Sequence, residues 1–459
     1  MSLILFKLYK KNKLLLIFLI SSLIISSINL EVQKKFFGKY LFNDDGTSYH
    51  GFLRYPPETR IWQEAYEFKN EIGFGIVKDK EFKYHFLPAI NLGVIGKLFD
   101  LKFFTPNNKV DITGINYFLI IQIIFYYFSV TLFYIKLLKI NLDKNVVNIC
   151  VFFLLFEPTI NQYNVSIFGE TILFSLLLII FSILIELPKK NLGYFFFGLL
   201  LGLCYLQRSI AMLIIFAPII VIFFRATDKL ILKIFYLSAS YILIFLLLGF
   251  MNHNRSGIFY FLPTSTKDNL YDYLIPKVIG YEENISQEKA SVILNKKKEV
   301  FIEINNLKMD SEKDRFEMYN WQKNESIKYL IDNKMSALIV ISKASIHSML
   351  LNPTEMIFNR MEGKDYYKST LHMETIKYRI FYSLIIYTLI LAGFIQSIRQ
   401  KIILPHIIFL VGLSLFSVSS WSGYTRYFVP TFLSLCLYFS IGVNFLGNLI
   451  YKKGFYKKC

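Results

Sequence analysis

The chain has few cysteines and few histidines, and neither type is spaced as metal ligands or a disulfide framework would be. Three of the four cysteines, Cys150, Cys204 and Cys436, lie inside apolar runs, and Cys459 is the last residue. The six histidines are scattered along the sequence. The pattern therefore predicts neither a zinc site nor a small disulfide-stapled fold.

Charged residues are also scarce, at 18% of the chain, whereas 54% of the residues are hydrophobic. Apolar runs near the roughly 20 residues that a helix needs to cross a bilayer recur along the sequence. We therefore predict an all-α polytopic membrane protein, a bundle of about ten transmembrane helices. The predicted spans are Leu14–Leu30, Ile115–Ile135, Val146–Phe156, Ser166–Ile185, Gly193–Leu206, Ile210–Phe224, Leu230–Met251, Ile380–Ile395, Ile402–Val418 and Phe428–Leu449. The first span resembles a signal peptide without a small-residue cleavage site, so we expect it to be retained.

The formal net charge of +18 is concentrated in short segments between the predicted spans. The positive-inside rule places such lysine-rich segments in the cytosol. Both termini then lie in the cytosol, and we expect the membrane to be a bacterial inner (plasma) membrane. The basic balance thus indicates topology and not a nucleic-acid partner. The basic segments are 1–13, 136–144, 186–190, 225–233, 399–401 and 452–458.

The order of spans and loops predicts four regions. Residues 1–251 form an N-terminal transmembrane module, whose first outer loop, 31–112, contains interfacial helices and carries the catalytic residues. Residues 252–334 form a larger extracytoplasmic loop or subdomain of mixed charge. Residues 335–379 form an interfacial helix region on the outer surface, and residues 380–459 hold the C-terminal transmembrane helices.

Two adjacent carboxylates, Asp44 and Asp45, follow the first predicted span in the sequence Asn43-Asp44-Asp45-Gly46. One interpretation is a solvated turn, which this sequence favours. The other is a general base, because glycosyl transfer needs a carboxylate that takes the proton of the acceptor. Asp45 stands four residues before Tyr49, so the two side chains share a face if a helix begins here.

Further polar side chains lie at the ends of predicted spans, where each invites a functional hypothesis. Arg208 either snorkels to the interface or binds a phosphate with its planar donors. Arg426, in Arg426-Tyr427-x-x-Pro430, is either part of an aromatic anchor or a second phosphate-binding cation. Glu170 either orients an arginine or a sugar hydroxyl, or interacts with its own helix dipole. Gly198 and Gly202 form a small-xxx-small pair that allows close helix packing.

In chain order these motifs resemble those of the GT-C-type, polyprenyl-phosphate-dependent glycosyltransferases. That family includes the protein O-mannosyltransferases and the bacterial aminoarabinose transferases of lipid A. The resemblance covers most of the chain. Its motifs are Asp45-Gly-Thr-Ser-Tyr49, Tyr84-His85-Phe-Leu-Pro88, Ser166-Ile-Phe-Gly-Glu170, the stretch from Gly198 to Arg208, Asn254-Arg255-Ser-Gly257 and Arg426-Tyr427-x-x-Pro430.

The resemblance implies a GT-C-like bundle and an inverting transfer of one sugar from an undecaprenyl- or dolichyl-phosphate donor. The acceptor is a lipid or a cell-surface glycan on the non-cytosolic face, and membrane lipids are the other partners. Asp45 deprotonates the acceptor in this interpretation, and Asp44 orients it or acts in its place. Arg208 and Arg426 hold the donor phosphate. The remaining implied substrate-binding residues are Tyr49, His85, Glu170, Arg255 and Tyr427.

Two arginines at the donor phosphate would supply the electrostatic stabilisation that a metal ion gives elsewhere. We therefore expect no cofactor and no metal ligand, with a divalent metal ion as the open alternative.

Two other classes stay open. A lipid-linked oligosaccharide polymerase or ligase would depend on Arg255 or His253 in the large outer loop. A transporter or flippase would have internal repeats and charges at the middle of the bilayer, and the sequence shows neither clearly.

Overall fold

The computed structural model of this chain is helical wherever it is described, and the described part contains no β-strand. This confirms the predicted all-α class. The described residues are 13–37, 62, 65–66, 68–70, 86–103, 112–140, 142–165, 169–225, 228–262, 270–352, 370–420 and 425–456.

The first nine described helices lie between Lys13 and Ser256. They are α1 Lys13–Phe37, α2 Phe86–Leu98, α3 Ile112–Leu137, α4 Lys144–Phe156, α5 Pro158–Asn161, α6 Glu170–Ile185, α7 Asn191–Gln207, α8 Phe216–Arg225 and α9 Leu230–Ser256. Short 3₁₀ turns at Gln162–Val165 and Ser209–Leu213 follow α5 and α7.

The remaining helices are α10 Ile275–Glu282, α11 Gln287–Ile304, α12 Glu312–Asp332, α13 Lys334–Met349, α14 Thr370–Arg399, α15 Leu404–Ser419, α16 Thr425–Leu433 and α17 Cys436–Tyr456. We call α10 to α13 the outer group, after the position that the sequence predicts for them, and α14 to α17 form the C-terminal bundle. A single π-helical turn, Leu270–Leu274, leads into α10.

Three described helices are long and apolar enough to cross a membrane: Asn116–Leu137 in α3, Leu230–Asn254 in α9 and Thr375–Arg399 in α14. Two bent pairs, α4 with α5 and α16 with α17, raise that number to five if each pair is one span. Six shorter apolar helices accompany them. The chain therefore has helices that could cross a membrane. The predicted number of ten crossings stays a prediction.

The first bend has a proline as its local cause, and the second follows a helix that contains one. Pro158 opens α5 directly after the extended residue Glu157, and the two helices meet there at 43°. Pro430 lies inside α16, where it lacks the N–H of a regular helix. The helix then breaks after Leu433 and resumes at Cys436 with a bend of 54°. The sequence predicted one unbroken span over Phe428–Leu449, and the structure instead divides it.

Glycines set the closest helix contacts. A Cβ atom at Gly198 would overlap the carbonyl oxygen of Leu237, and one at Gly202 would overlap Ile244, so α7 packs tightly against α9. The spacing of this glycine pair is therefore used for close packing, as it allows in membrane helices. In the same way, Gly442 of α17 faces the backbone of α14.

The helix ends gather into two groups. At one end, which we call the basic end, the ammonium of Lys136 lies 2.5 Å from Glu186 and that of Lys139 lies 3.4 Å from it. Arg225 donates to the carbonyl of Leu184 at 2.8 Å in the same group. The opposite end carries Glu170, the first residue of α6. Helices α6 and α7 run antiparallel between the two ends as a hairpin.

The outer group packs around α10. Tyr271 and Trp321 lie with ring centroids 5.6 Å apart, and Trp321 stacks on Phe301 at 4.5 Å. Helix α13 buries Ala337 and Val340 against the other side of α10. The hydroxyl of Ser345 in α13 also donates to the carbonyl of Ser420 at 3.2 Å. Helix α13 thus joins the outer group to the bundle.

Candidate functional site

A buried ion pair stands at the end of the bundle opposite the basic end. Nη2 of Arg208 lies 2.5 Å from Oε1 of Glu170. The side chain of Arg208 is 3% exposed and that of Glu170 is 1% exposed. Two charged side chains are thus withdrawn from solvent, which is costly for ionised groups.

Tyr427 joins this pair from the C-terminal part of the chain. The guanidinium carbon of Arg208 lies 5.4 Å from the centroid of the Tyr427 ring. That distance is within the range of a cation–π interaction. Three residues that the sequence predicted as substrate-binding, one each from α6, the end of α7 and α16, therefore meet at one place, which we call the 170–208–427 cluster.

The backbone presents both charges at helix ends. Glu170 occupies the first turn of α6, where the positive end of the helix dipole stabilises a carboxylate. Arg208 caps the C-terminus of α7 in an extended conformation, with φ −153° and ψ 124°, and its N–H donates to the carbonyl of Cys204. Since the helix ends there, the arginine side chain turns from the α7 axis towards α6.

Helix α2 approaches the same cluster. Pro88, near the start of α2, lies against Gly169, the residue before Glu170. Residues ahead of α2 bond to the turn that follows it. Nε1 of Trp62 donates to the carbonyl of Phe103 at 3.0 Å, and Lys69 forms a 3.1 Å ion pair with Asp100.

A second polar cluster lies near the bend between α4 and α5. The hydroxyl of Tyr382 donates to Oε1 of Glu157 at 2.6 Å, and the N–H of Ile160 donates to Oε2 at 2.8 Å. Arg379, which is 7% exposed, donates to the carbonyls of Leu350 and Leu351. The sequence analysis singled out neither Arg379 nor Tyr382. The sequence did contain a signal for them, since Arg379 and Tyr382 are three residues apart near the start of the predicted span Ile380–Ile395.

The structure leaves several predicted site residues without a described position. Asp44, Asp45, Tyr49 and His85 lie outside the described residues. Arg426 belongs to α16 and Arg255 to α9, but only the backbone of each is described. Their assigned roles stay predictions.

Within the described ranges, no group of three or more histidine, cysteine, aspartate or glutamate side chains is arranged to hold a metal ion. The three described cysteines, Cys150, Cys204 and Cys436, are free and buried. The two polar clusters described above consist of carboxylate, guanidinium, amide and phenol groups.

Comparison of the chain with known protein families, with curated proteins and with solved structures finds no match in any of the three.

Proposed function

We propose that this chain is an integral membrane glycosyltransferase of GT-C type. It moves one sugar from a polyprenyl-phosphate donor to a lipid or cell-surface glycan acceptor, on the face opposite the basic end. The observation that carries the proposal is the meeting of Glu170, Arg208 and Tyr427 from three separated parts of the chain.

The burial of the ion pair supports a functional role. Desolvating a carboxylate and a guanidinium costs several kcal/mol per ion, so apolar side chains of similar volume often stabilise a fold as well or better. Ionisable groups inside membrane proteins commonly mark substrate paths for this reason. We infer that Glu170 and Arg208 are present for what they bind rather than for the stability they add.

The arrangement suits a phosphate. A guanidinium carries five N–H donors in one plane, which matches the oxygens of a phosphate group. Glu170 orients the guanidinium of Arg208 from one side, and the Tyr427 ring faces it within 5.4 Å. An arginine held in this way needs little rearrangement when an anionic group arrives.

The proposed reaction is a displacement with inversion. An acceptor oxygen forms a bond to the anomeric carbon while the bond from that carbon to the donor phosphate oxygen breaks. The acceptor proton passes to Asp45, or to Asp44 in its place. The electron pair of the broken bond leaves with the polyprenyl phosphate, whose added negative charge Arg208 and Arg426 stabilise.

The positions of the charges favour a transferase over a transporter. The ion pairs among the described residues join helix ends or the segments between helices, as in Lys136 with Glu186 and Lys233 with Asp228. A transporter instead needs ion or substrate ligands near the middle of the bilayer.

The test is sugar transfer by the full chain in nanodiscs, with a panel of radiolabelled undecaprenyl-phosphate sugars as donors. Arg208→Ala should lower transfer by about 100-fold or more, because the leaving phosphate loses its counter-charge. The matched control is Arg225→Ala, an arginine at the basic end that donates to a carbonyl. Equal activity of wild type and Arg208→Ala, or passage of donor without transfer, would refute the proposal.

A further inference from the structure

We propose that Gln207 is a positioning residue that couples the first outer loop to the buried Glu170–Arg208 pair. The inference rests on the proposed function and extends it to a residue that neither the motifs nor the reaction required. Gln207 ends α7, directly before Arg208, and its side chain has no exposed surface.

The amide of Gln207 contacts two different segments. Its Nε2 donates to the carbonyl of Gly169 at 2.9 Å. Its Oε1 accepts from Nδ2 of Asn91, in α2, at 3.5 Å. An amide side chain offers a donor and an acceptor on two separate atoms, so this one residue contacts both the start of α6 and α2 from the end of α7.

Gly169 is shaped to receive this contact. It has φ +87°, a left-handed conformation that side chains with a Cβ rarely adopt. A Cβ there would overlap the Gln207 amide and would stand 3.3 Å from Pro88. The glycine therefore allows α2 and Gln207 to reach the backbone immediately before Glu170.

The two hydrogen bonds of Gln207 hold the backbones of α2, Gly169 and Arg208 close together. Glu170 follows Gly169 in the chain and Arg208 follows Gln207, so the Gln207–Gly169 bond holds the backbones of both ion-pair partners together. The Asn91 contact adds α2, which belongs to the loop that carries the proposed base, Asp45. In this proposal Gln207 keeps α2 and the two ion-pair partners in one arrangement around the donor phosphate, without touching the donor.

A residue with this role affects the chemical step more than donor binding, because Arg208 remains present to hold the phosphate. Misplacement of reacting groups by about 1 Å costs on the order of 100-fold in rate. Gln207→Leu keeps the volume and removes both hydrogen bonds. We expect its kcat to fall by about 10- to 100-fold, while its KM for the donor stays within about twofold of wild type.

The experiment measures both constants in nanodiscs with the undecaprenyl-phosphate sugar that the wild type transfers. The matched control is Gln322→Leu, which removes a buried glutamine of α12 in the outer group and should change neither constant. Asn91→Ala removes only the α2 contact and should lower kcat in the same direction. Combined with Gln207→Leu, it should add little, because the two substitutions break one contact.

The outcomes separate the two proposals. A wild type that transfers no sugar from any donor refutes the proposed function, and the role of Gln207 falls with it. An active wild type whose Gln207→Leu variant keeps its kcat, or loses donor affinity instead, refutes the positioning role alone. If Gln207→Leu does not fold, Asn91→Ala decides by the same criterion.

Discussion

The guanidinium of Arg208 and the carboxylate of Glu170 lie 2.5 Å apart with almost no exposed surface on either side chain. Glu170 begins the first arm of the α6–α7 hairpin and Arg208 follows the second, so the contact closes the open end of the hairpin, opposite the link 186–190. Burial makes the pair costly to break, because a charged side chain that loses its partner in a buried site keeps its desolvation penalty.

Glu170→Gln should therefore destabilise the protein strongly, by about 3–5 kcal/mol, since the Arg208 charge stays buried. The double variant Glu170→Leu/Arg208→Leu should recover most of this loss and yet transfer no sugar. Thermal unfolding in detergent and the transfer assay measure the two effects. A Glu170→Gln variant as stable as wild type would contradict the buried-pair argument.

The ring of Tyr427 should orient Arg208 through its π face. Tyr427→Phe keeps that face, so we expect donor KM to stay near the wild-type value. Tyr427→Leu removes about 0.5–2 kcal/mol of interaction and should raise donor KM by about 2- to 30-fold. The control is Tyr281→Leu, which removes a ring 4.7 Å from Lys343 in the outer group and should leave donor KM unchanged.

Gly442 and Gly447 offer a matched pair on α17. A Cβ at Gly442 would overlap the carbonyl oxygen of Leu389, whereas one at Gly447 meets no atom within 4 Å. Gly442→Ala should lower stability by about 1–3 kcal/mol through overpacking against α14. Gly447→Ala should leave the melting temperature unchanged or slightly higher, because alanine favours helix more than glycine does. Equal effects of the two substitutions would place α14 and α17 further apart.

The carboxylate of Glu186 predicts a pH dependence at the basic end. Hydrogen bonding and charge from Lys136, with the charge of Lys139, hold the pKa of Glu186 below its ordinary value of 4.5. A lowered pKa means that the folded state favours the ionised form. Its stabilising effect is fully present above pH 4.5 and is lost as the pH falls through the lowered pKa.

Glu186→Gln should accordingly lower the melting temperature at pH 7 and have no effect once the pH is below the lowered pKa of Glu186. The change should be small, because the Glu186 side chain is 46% exposed and solvent screens it. Glu303→Gln, an exposed carboxylate near the end of α11, serves as the control for charge removal alone. A Glu186→Gln effect of the same size at both pH values would contradict the proposed cause.

The helical class and the approximate positions of the helices followed from apolar runs and lysine-rich links. The nearness of Glu170 and Arg208 also follows from topology. One residue heads a predicted span and the other ends the next, so an antiparallel hairpin brings them to the same end. The contact of Arg208 with Tyr427 could not be derived in this way, because it depends on how helices distant in sequence pack.

Two features of the structure have no local sequence signal. Gln207 is one amide in an apolar stretch, and its role appears only when α2 and α6 are brought beside it. Arg379 bonds to the carbonyls of Leu350 and Leu351 at the end of α13, across residues 353–369, which lie outside the described part of the chain. Long-range partners of this kind are set by tertiary packing, which the spacing of residues within one helix does not encode.

The hairpin of α6 and α7 has a consequence for biosynthesis. Its arms are joined by five residues, Glu186–Lys190, so the acidic start of one arm and the basic end of the other emerge from the ribosome within one short interval. If the arms enter the lipid as a pair, the end that carries Glu170 and Arg208 brings two opposite charges that cancel. The insertion machinery would then transfer a hairpin whose paired Glu170 and Arg208 side chains have almost no net charge, instead of two helices that each carry an unpaired charge.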